Sequence, residues 1–231
     1  MTADGKIATA NRQVSSFSSP RDKKHMLALR ATADAVMSGA RTVDLNSVYL
    51  GPGSAKYRRL RLKRGLAEYN LRIIVSGSGS IDPNAAIFKR RFSPIIILTT
   101  ARAGERRLKK LRTLADDVKI CGKSEINFPL AFRWLRQKWK VQRLLCEGGG
   151  ELDDALFRAQ VVNELHLTIC PKIFGGRHAP TIADGLGAKS LSGATPLEPR
   201  SFHRHGMEIY LICGVTNASL EPVAKLRATC Q

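Results

Sequence analysis

The chain has 231 residues, and its 43% hydrophobic and 25% charged content exclude a chain too polar to bury a core. Lys and Arg number 38 against 19 Asp and Glu, a net charge of +19 that calls for an anionic substrate, ligand or surface. The longest apolar runs, such as Pro94–Leu98, fall far short of the ~20 residues that span a bilayer, and the opening residues carry no apolar leader segment.

Met1–Ser19 has no period. Ser19-Pro20 is a helix start, because the hydroxyl caps a free N–H and proline tolerates the first helical position. With Met26, Leu27, Leu29 and Ala33 as its stripe, this predicts a helix over Pro20–Thr32. A buried strand is expected at Ala35–Ser38, ending in a turn at Gly39. Residues 51–70 read as irregular, with the basic run Arg58, Arg59, Arg61, Lys63 and Arg64 on a solvated face or against a phosphate. From Leu71 apolar runs alternate with helix-period stretches. The runs are Ile73–Val75, Ile95–Leu98, Val118–Cys121, Gln142–Cys146 and Leu165–Cys170, and the helical stretches are Glu105–Ala115, Phe128–Trp139 and Leu152–Ala159. Such alternation fits a mostly parallel sheet with crossover helices. Ser201–Gly206 and Glu208–Val215 predict an antiparallel hairpin at the sheet edge, and Thr216–Gln231 reads as a tail without a period.

The chemistry concentrates where the apolar run Gln142–Cys146 enters Glu147, three glycines and an amphipathic helix. Glycines let backbone N–H groups approach a ligand, and a helix start adds free donors and partial positive charge, which suits a pyrophosphate. Gly148, Gly149 and Gly150 are contiguous, so they are not the spaced fingerprint of a standard dinucleotide fold. A carboxylate at a strand's carboxyl end, such as Glu147, suits a substrate hydroxyl or amine. His166 reads as a surface or packed residue. Cys121, Cys146, Cys170, Cys213 and Cys230 are odd in number and form no CxxC pair, so reduced thiols, a cytoplasmic setting and no metal site are expected.

Asp4–Ala8, Leu29-Arg30-Ala31, Gly39 with Thr42-Val43, Glu147–Gly150 and Pro171–Gly176 follow one another in an order that resembles the pyrimidine reductases of riboflavin biosynthesis. The likeness runs over about 1–215, a single reductase domain with 216–231 as a C-terminal tail. The resemblance implies a dihydrofolate reductase-like α/β fold: a mixed, mostly parallel sheet flanked by helices, with an antiparallel C-terminal hairpin. It also implies a homodimer, NADPH as cofactor and a ribosylaminopyrimidine 5′-phosphate as substrate, whose ribose is reduced at C1′. By the same likeness Thr42, Asn46, Ser78, Gly148, Gly149, Gly150, Glu151 and Leu152 would hold NADPH. Asp4, Arg30 and Glu147 would hold substrate, and Lys6 and Glu147 would be catalytic.

Two departures stand out. The family carries a strand ahead of the Asp4–Ala8 motif that this sequence lacks, which would leave neighbouring strands with unpaired buried edges. Asn46 stands where the family has Asp, and 51–64 replaces a shorter family segment. A reductase of the same fold acting on a pteridine-like substrate is the nearest alternative. A basic nucleic-acid-binding protein is the next, although nucleic acid is not expected as a partner because no recognition module is present.

Overall fold

The computed structural model describes residues 1–12, 17–45 and 48–216, and the backbone of 227–230. The first helix, α1 (Pro20–Arg30), starts as its Ser-Pro signal predicts: Ser19 Oγ accepts from the Arg21 and Asp22 N–H groups at 3.2 and 3.3 Å. The described residues form two units, Leu27–Glu147 and Met1–Met26 with Gly148–Gln231.

In the unit Leu27–Glu147 the predicted runs become parallel strands, buried over most of their length except for the edge strand, whose sequence Asp117-Val118-Lys119-Ile120 has no buried residue. These are β1 (Ala35–Gly39), β2 (Leu71–Ser76), β3 (Ile95–Thr99), β4 (Asp117–Ile120) and β5 (Arg143–Cys146), in the order β4-β3-β2-β1-β5. The connecting helices are α2 (Ala40–Leu45), α3 (Ala55–Lys63), α4 (Ala86–Lys89), α5 (Gly104–Leu114) and α6 (Phe128–Trp139). Val36, Ile74, Ile95, Ile97 and Leu145 share one core cluster with Leu50 and Leu111, so the inner strands are buried as a parallel sheet requires.

The expectation of irregular chain over 51–70 is wrong, because Ala55–Lys63 is helical. The buried positions of α3 are Tyr57 and Arg61, four residues apart on one face, so an arginine fills a slot where an apolar residue would have betrayed the helix. Arg61 is 1% exposed; its Nε donates to Ala67 O at 2.8 Å, and its Nη1 donates to Arg30 O and Ala33 O at 2.8 and 2.5 Å. Arg64 donates to Ala31 O and Arg58 pairs with Glu68 at 3.2 Å, but of the basic run only Arg61 is buried, and Arg59, Lys63 and Arg64 are exposed. On β2, Arg72 is buried in the same way as Arg61. Its guanidinium lies 4.2 Å over the Phe92 ring and donates to Ile87 O, Arg90 O and Ser93 O, and burial draws its pKa down to about 10.

The other unit contains α7 (Gly150–Arg158), β6 (Val162–Ile169) and the predicted hairpin, β7 (Leu197–His205) and β8 (Glu208–Val215). β8 pairs antiparallel with both β6 and β7. Residues 217–226 and 231 lie outside the described residues, but 227–230 correct the expectation of a patternless tail: they form β9 (Arg227–Cys230), parallel to β6. β6 therefore has a partner on each side. His166, on β6, is packed at 5% exposure, with Nε2 2.6 Å from Glu164 Oε1. Cys121, Cys146, Cys170 and Cys213 are buried and form no disulfide, and burial pushes the Cys121 thiol up to about 11. Among the described residues no helix is long and apolar enough to cross a membrane, and no cluster of His, Cys, Asp or Glu could hold a metal.

Glu208 ties the start of α1 to this hairpin. Its carboxylate accepts from Ser19 N, Ser19 Oγ and Tyr210 O–H at 2.6, 2.5 and 2.8 Å. Burial raises the Glu208 pKa, but the bonds from Ser19 and Tyr210 outweigh it and leave the group below its usual range. Burial, with Glu208 beside it, pushes the Tyr210 hydroxyl up to about 12. A depressed carboxyl pKa stabilises fully above the unfolded value and loses that contribution as pH falls through the folded one. Urea unfolding of Glu208→Gln should therefore show a deficit at neutral pH that shrinks below about pH 4. A deficit that stays constant across that range would contradict the tie.

Candidate active site

Three connections carry the chain from β1 outward to β4, and the fourth returns it to β5 on the other side of β1. The reversal makes the carboxyl ends of β1 and β5 a topological switch point, the usual ligand crevice of an open α/β sheet. Glu147 is the first residue beyond β5, and its N–H donates to Met37 O of β1 at 2.8 Å. Its carboxylate meets Arg30 at the end of α1: Nε to Oε1 and Nη2 to Oε2, both at 2.5 Å. Arg30 Nη1 donates to Gly51 O at 2.7 Å, and the two side chains are 10% and 12% exposed. Two residues assigned separately to substrate thus form one buried, two-pronged ion pair, 117 positions apart in sequence. Such a pair fixes both groups, because removing either leaves a charge buried without its partner.

Thr42 lies half-buried in α2, directly after β1. Asn46 lies outside the described residues. Ser78 occupies the turn that follows β2, at the same carboxyl edge of the sheet as Glu147.

In the other unit, the Asp4–Ala8 motif is folded against the Pro171–Gly176 motif. The Asp4 carboxylate accepts from Thr2 Oγ1 at 2.6 Å and from the N–H groups of Gly175 and Phe174 at 2.8 and 3.3 Å. The Thr2 bond, with the two amides, holds the Asp4 carboxyl below its usual range. Lys6 Nζ donates to Ala179 O at 3.2 Å, and Ile7 N donates to Pro180 O. The sequence brings no signal for Thr2, which organises this turn through short local bonds.

Gly148 and Gly149 have φ of +47° and +91°, which side chains other than hydrogen resist. Gly150 has no such φ, but a Cβ there would collide with the Thr181 carbonyl. Each glycine therefore has its own backbone reason. The hydrogen-bonding ladder of α7 begins at Leu152 and Asp153, both onto Gly149 O, so the Gly150 and Glu151 N–H groups precede it at the helix start. Asp184 braces this loop, accepting from Thr181 N and Oγ1 at 3.0 and 2.6 Å while its own N–H donates to Gly150 O. The Thr-x-x-Asp spacing is the signal by which Thr181 and Asp184 could have been found. The nearby Asp154 carboxylate is neutralised by Arg158 at 2.8 Å.

The mostly parallel sheet with flanking helices and an antiparallel C-terminal hairpin is the dihydrofolate reductase-like architecture. Residues 1–211 match the model of the RibD C-terminal domain, and the chain belongs to that family. It is 27% identical over 221 residues to the 2,5-diamino-6-ribosylamino-4(3H)-pyrimidinone 5′-phosphate reductase of Aquifex aeolicus, covering 94% of each chain. The enzyme of the same name from Archaeoglobus fulgidus is 30% identical over 182 residues, 79% of this chain and 82% of its own length. Among solved structures, a pyrimidine reductase-like protein from Corynebacterium diphtheriae superimposes with a TM-score of 0.75 at 21% identity, over 94% of this chain and 89% of that one. Acinetobacter baumannii RibD gives 0.72 at 16% identity, and the chain spans only 55% of its length. The family evidence is for a reductase of the pyrimidine-reductase type.

Proposed function

We propose that this chain is an NADPH-dependent reductase that converts a ribosylaminopyrimidine 5′-phosphate to the ribitylamino product in riboflavin biosynthesis. The observation that carries this is the similarity along 94% of both chains to a reductase of that name in Aquifex aeolicus. NADPH, when bound, supplies the hydride that C1′ of the ring-opened ribose accepts, while the substrate nitrogen takes up a proton. The glycine loop fits such a cofactor: two left-handed glycines followed by a nine-residue helix offer backbone donors to a pyrophosphate. Gly148, Gly149, Gly150, Glu151 and Leu152 hold that group, and Thr42, Asn46 and Ser78 hold the remainder of the dinucleotide. Arg30 orients the Glu147 carboxylate, which accepts hydrogen bonds from the sugar hydroxyls exposed by ring opening. Lys6 Nζ delivers the proton to the substrate nitrogen, and the Ala179 carbonyl keeps that ammonium in place. Asp4 contributes by fixing the turn at Phe174-Gly175.

Fluorescence titration tests the cofactor site. The wild type should bind NADPH, and Gly149→Asp should lose at least about tenfold in affinity, because it adds both a side chain at φ +91° and a negative charge at a pyrophosphate. Equal binding by the two proteins would remove the glycine loop from the cofactor site.

A further inference from the structure

The start of α1 lies over one face of the β6-β8-β7 sheet, and a hollow of about 440 Å³ opens there, a volume in the range of small-molecule sites. Four of the chain's five histidines gather around it, and the strand register explains why. His203 of β7 pairs with Tyr210 of β8, and His205 pairs with Glu208, so alternation puts both imidazoles on the Tyr210 face. His166 of β6 is in register with Ile212, two residues from Tyr210, and shares that face. His25 of α1 covers them, its ring 5.5 Å from that of Tyr210 and 5.7 Å from that of His166. The His205 ring lies 5.6 Å from Tyr210 and 6.5 Å from His203.

Arg21 and Lys24, both exposed on α1, add two cations to the lining. Arg21 Nη2 stands 2.9 Å from His205 Nε2, and a guanidinium can only donate, so the ring nitrogen is the acceptor. Among the described residues Arg21 pairs with no carboxylate, so most of its five N–H donors are left for a ligand. Among the same residues no carboxylate lines the hollow. Glu208 is taken up by Ser19 and Tyr210, and Asp22, whose charge acts on His25, is outside the lining. Leu167, Leu211 and Ile212 supply the apolar part. None of the lining residues belongs to the cofactor and substrate sets assigned above.

We infer that this hollow is a further ligand site, built for a phosphomonoester that carries a planar ring. Two neighbouring cations match a dianion better than they match a single carboxylate, and the guanidinium fork suits phosphate oxygens. The imidazole and phenol rings, with the three aliphatic side chains, offer a surface that flat apolar groups cover and a bare inorganic anion does not. The site goes beyond the proposed function and stands whether or not that function holds.

The test follows the ring signals of the histidines by NMR while phenyl phosphate, inorganic phosphate or benzoate is added to the full chain. Phenyl phosphate should move the His25 and His205 signals saturably and leave His178 where it is. Inorganic phosphate, which lacks the ring, and benzoate, which lacks the second charge, should each bind about tenfold more weakly or worse. Arg21→Gln/His205→Gln should weaken phenyl phosphate by about tenfold, read on His25, and both positions are exposed, so the fold should be kept. Lys24→Gln, a single exposed change, should weaken it by about threefold. Histidine signals in the hollow that ignore phenyl phosphate would overturn the inference. So would an affinity that both variants leave unchanged, or equal affinity for phenyl phosphate and either of the other two anions.

Discussion

Glu147→Ala should destabilise the folded chain by about 3–5 kcal/mol, the cost of leaving one half of a buried ion pair alone. The Arg30 guanidinium would keep only Gly51 O as a partner in a place where it is 8% exposed. Arg30→Met should cost a comparable amount, since it strands the carboxylate. The double change Arg30→Met/Glu147→Leu should cost less than the sum of the two, because an apolar pair of similar volume removes both charges together. Turnover should separate from stability: the double variant should fold and still fail to oxidise NADPH in the presence of substrate. Urea unfolding of the three variants gives the coupling, and a stopped assay gives the rate. Additive destabilisation would mean that the pair is not buried as described.

Arg61→Leu should cost about 3 kcal/mol, while Arg59→Leu, two residues away on the exposed side of α3, should stay within about 0.5 kcal/mol. The difference is in the partners. Arg61 is the common donor to the carbonyls of Arg30, Ala33 and Ala67, and a leucine would leave those acceptors without their charged donor. Because Arg30 O is one of them, the loss should also loosen the Arg30–Glu147 pair, so Arg61→Leu should lower turnover despite standing outside the site. Thermal unfolding and the NADPH oxidation rate of the two variants check both parts.

These two arginines also mark where the sequence is legible and where it is not. Ile95–Leu98 and Phe128–Trp139 could be read because apolar continuity and apolar period are local properties, and they return as β3 and α6 with ends within one residue. The Ser-Pro start of α1 was legible for the same reason, since a cap is made by neighbours in sequence. α3 was hidden because its buried face is built from Tyr57 and Arg61, and hydropathy counts an arginine as solvent-facing whether or not its head is satisfied inside. The pairing of Arg30 with Glu147 leaves no trace in either local pattern. The resemblance named both residues, but only the folded chain shows that one holds the other. Asp4 is similar: its motif was visible, while its bonds to Phe174 and Gly175 depend on a contact 171 positions away. Part of the excess positive charge also becomes intelligible, since Arg30, Arg61 and Arg72 are buried and spent on internal acceptors.

The most direct measurement is the fate of the label when NADPH carrying deuterium at C4 of the nicotinamide is incubated with the chain and a ribosylaminopyrimidine 5′-phosphate, in aminated and deaminated forms. The account predicts that at least one of the two is converted to a ribitylamino product with a single deuterium on C1′, in step with NADPH consumed. NADPH that binds but is not oxidised with either substrate, or label recovered elsewhere than C1′, would contradict it.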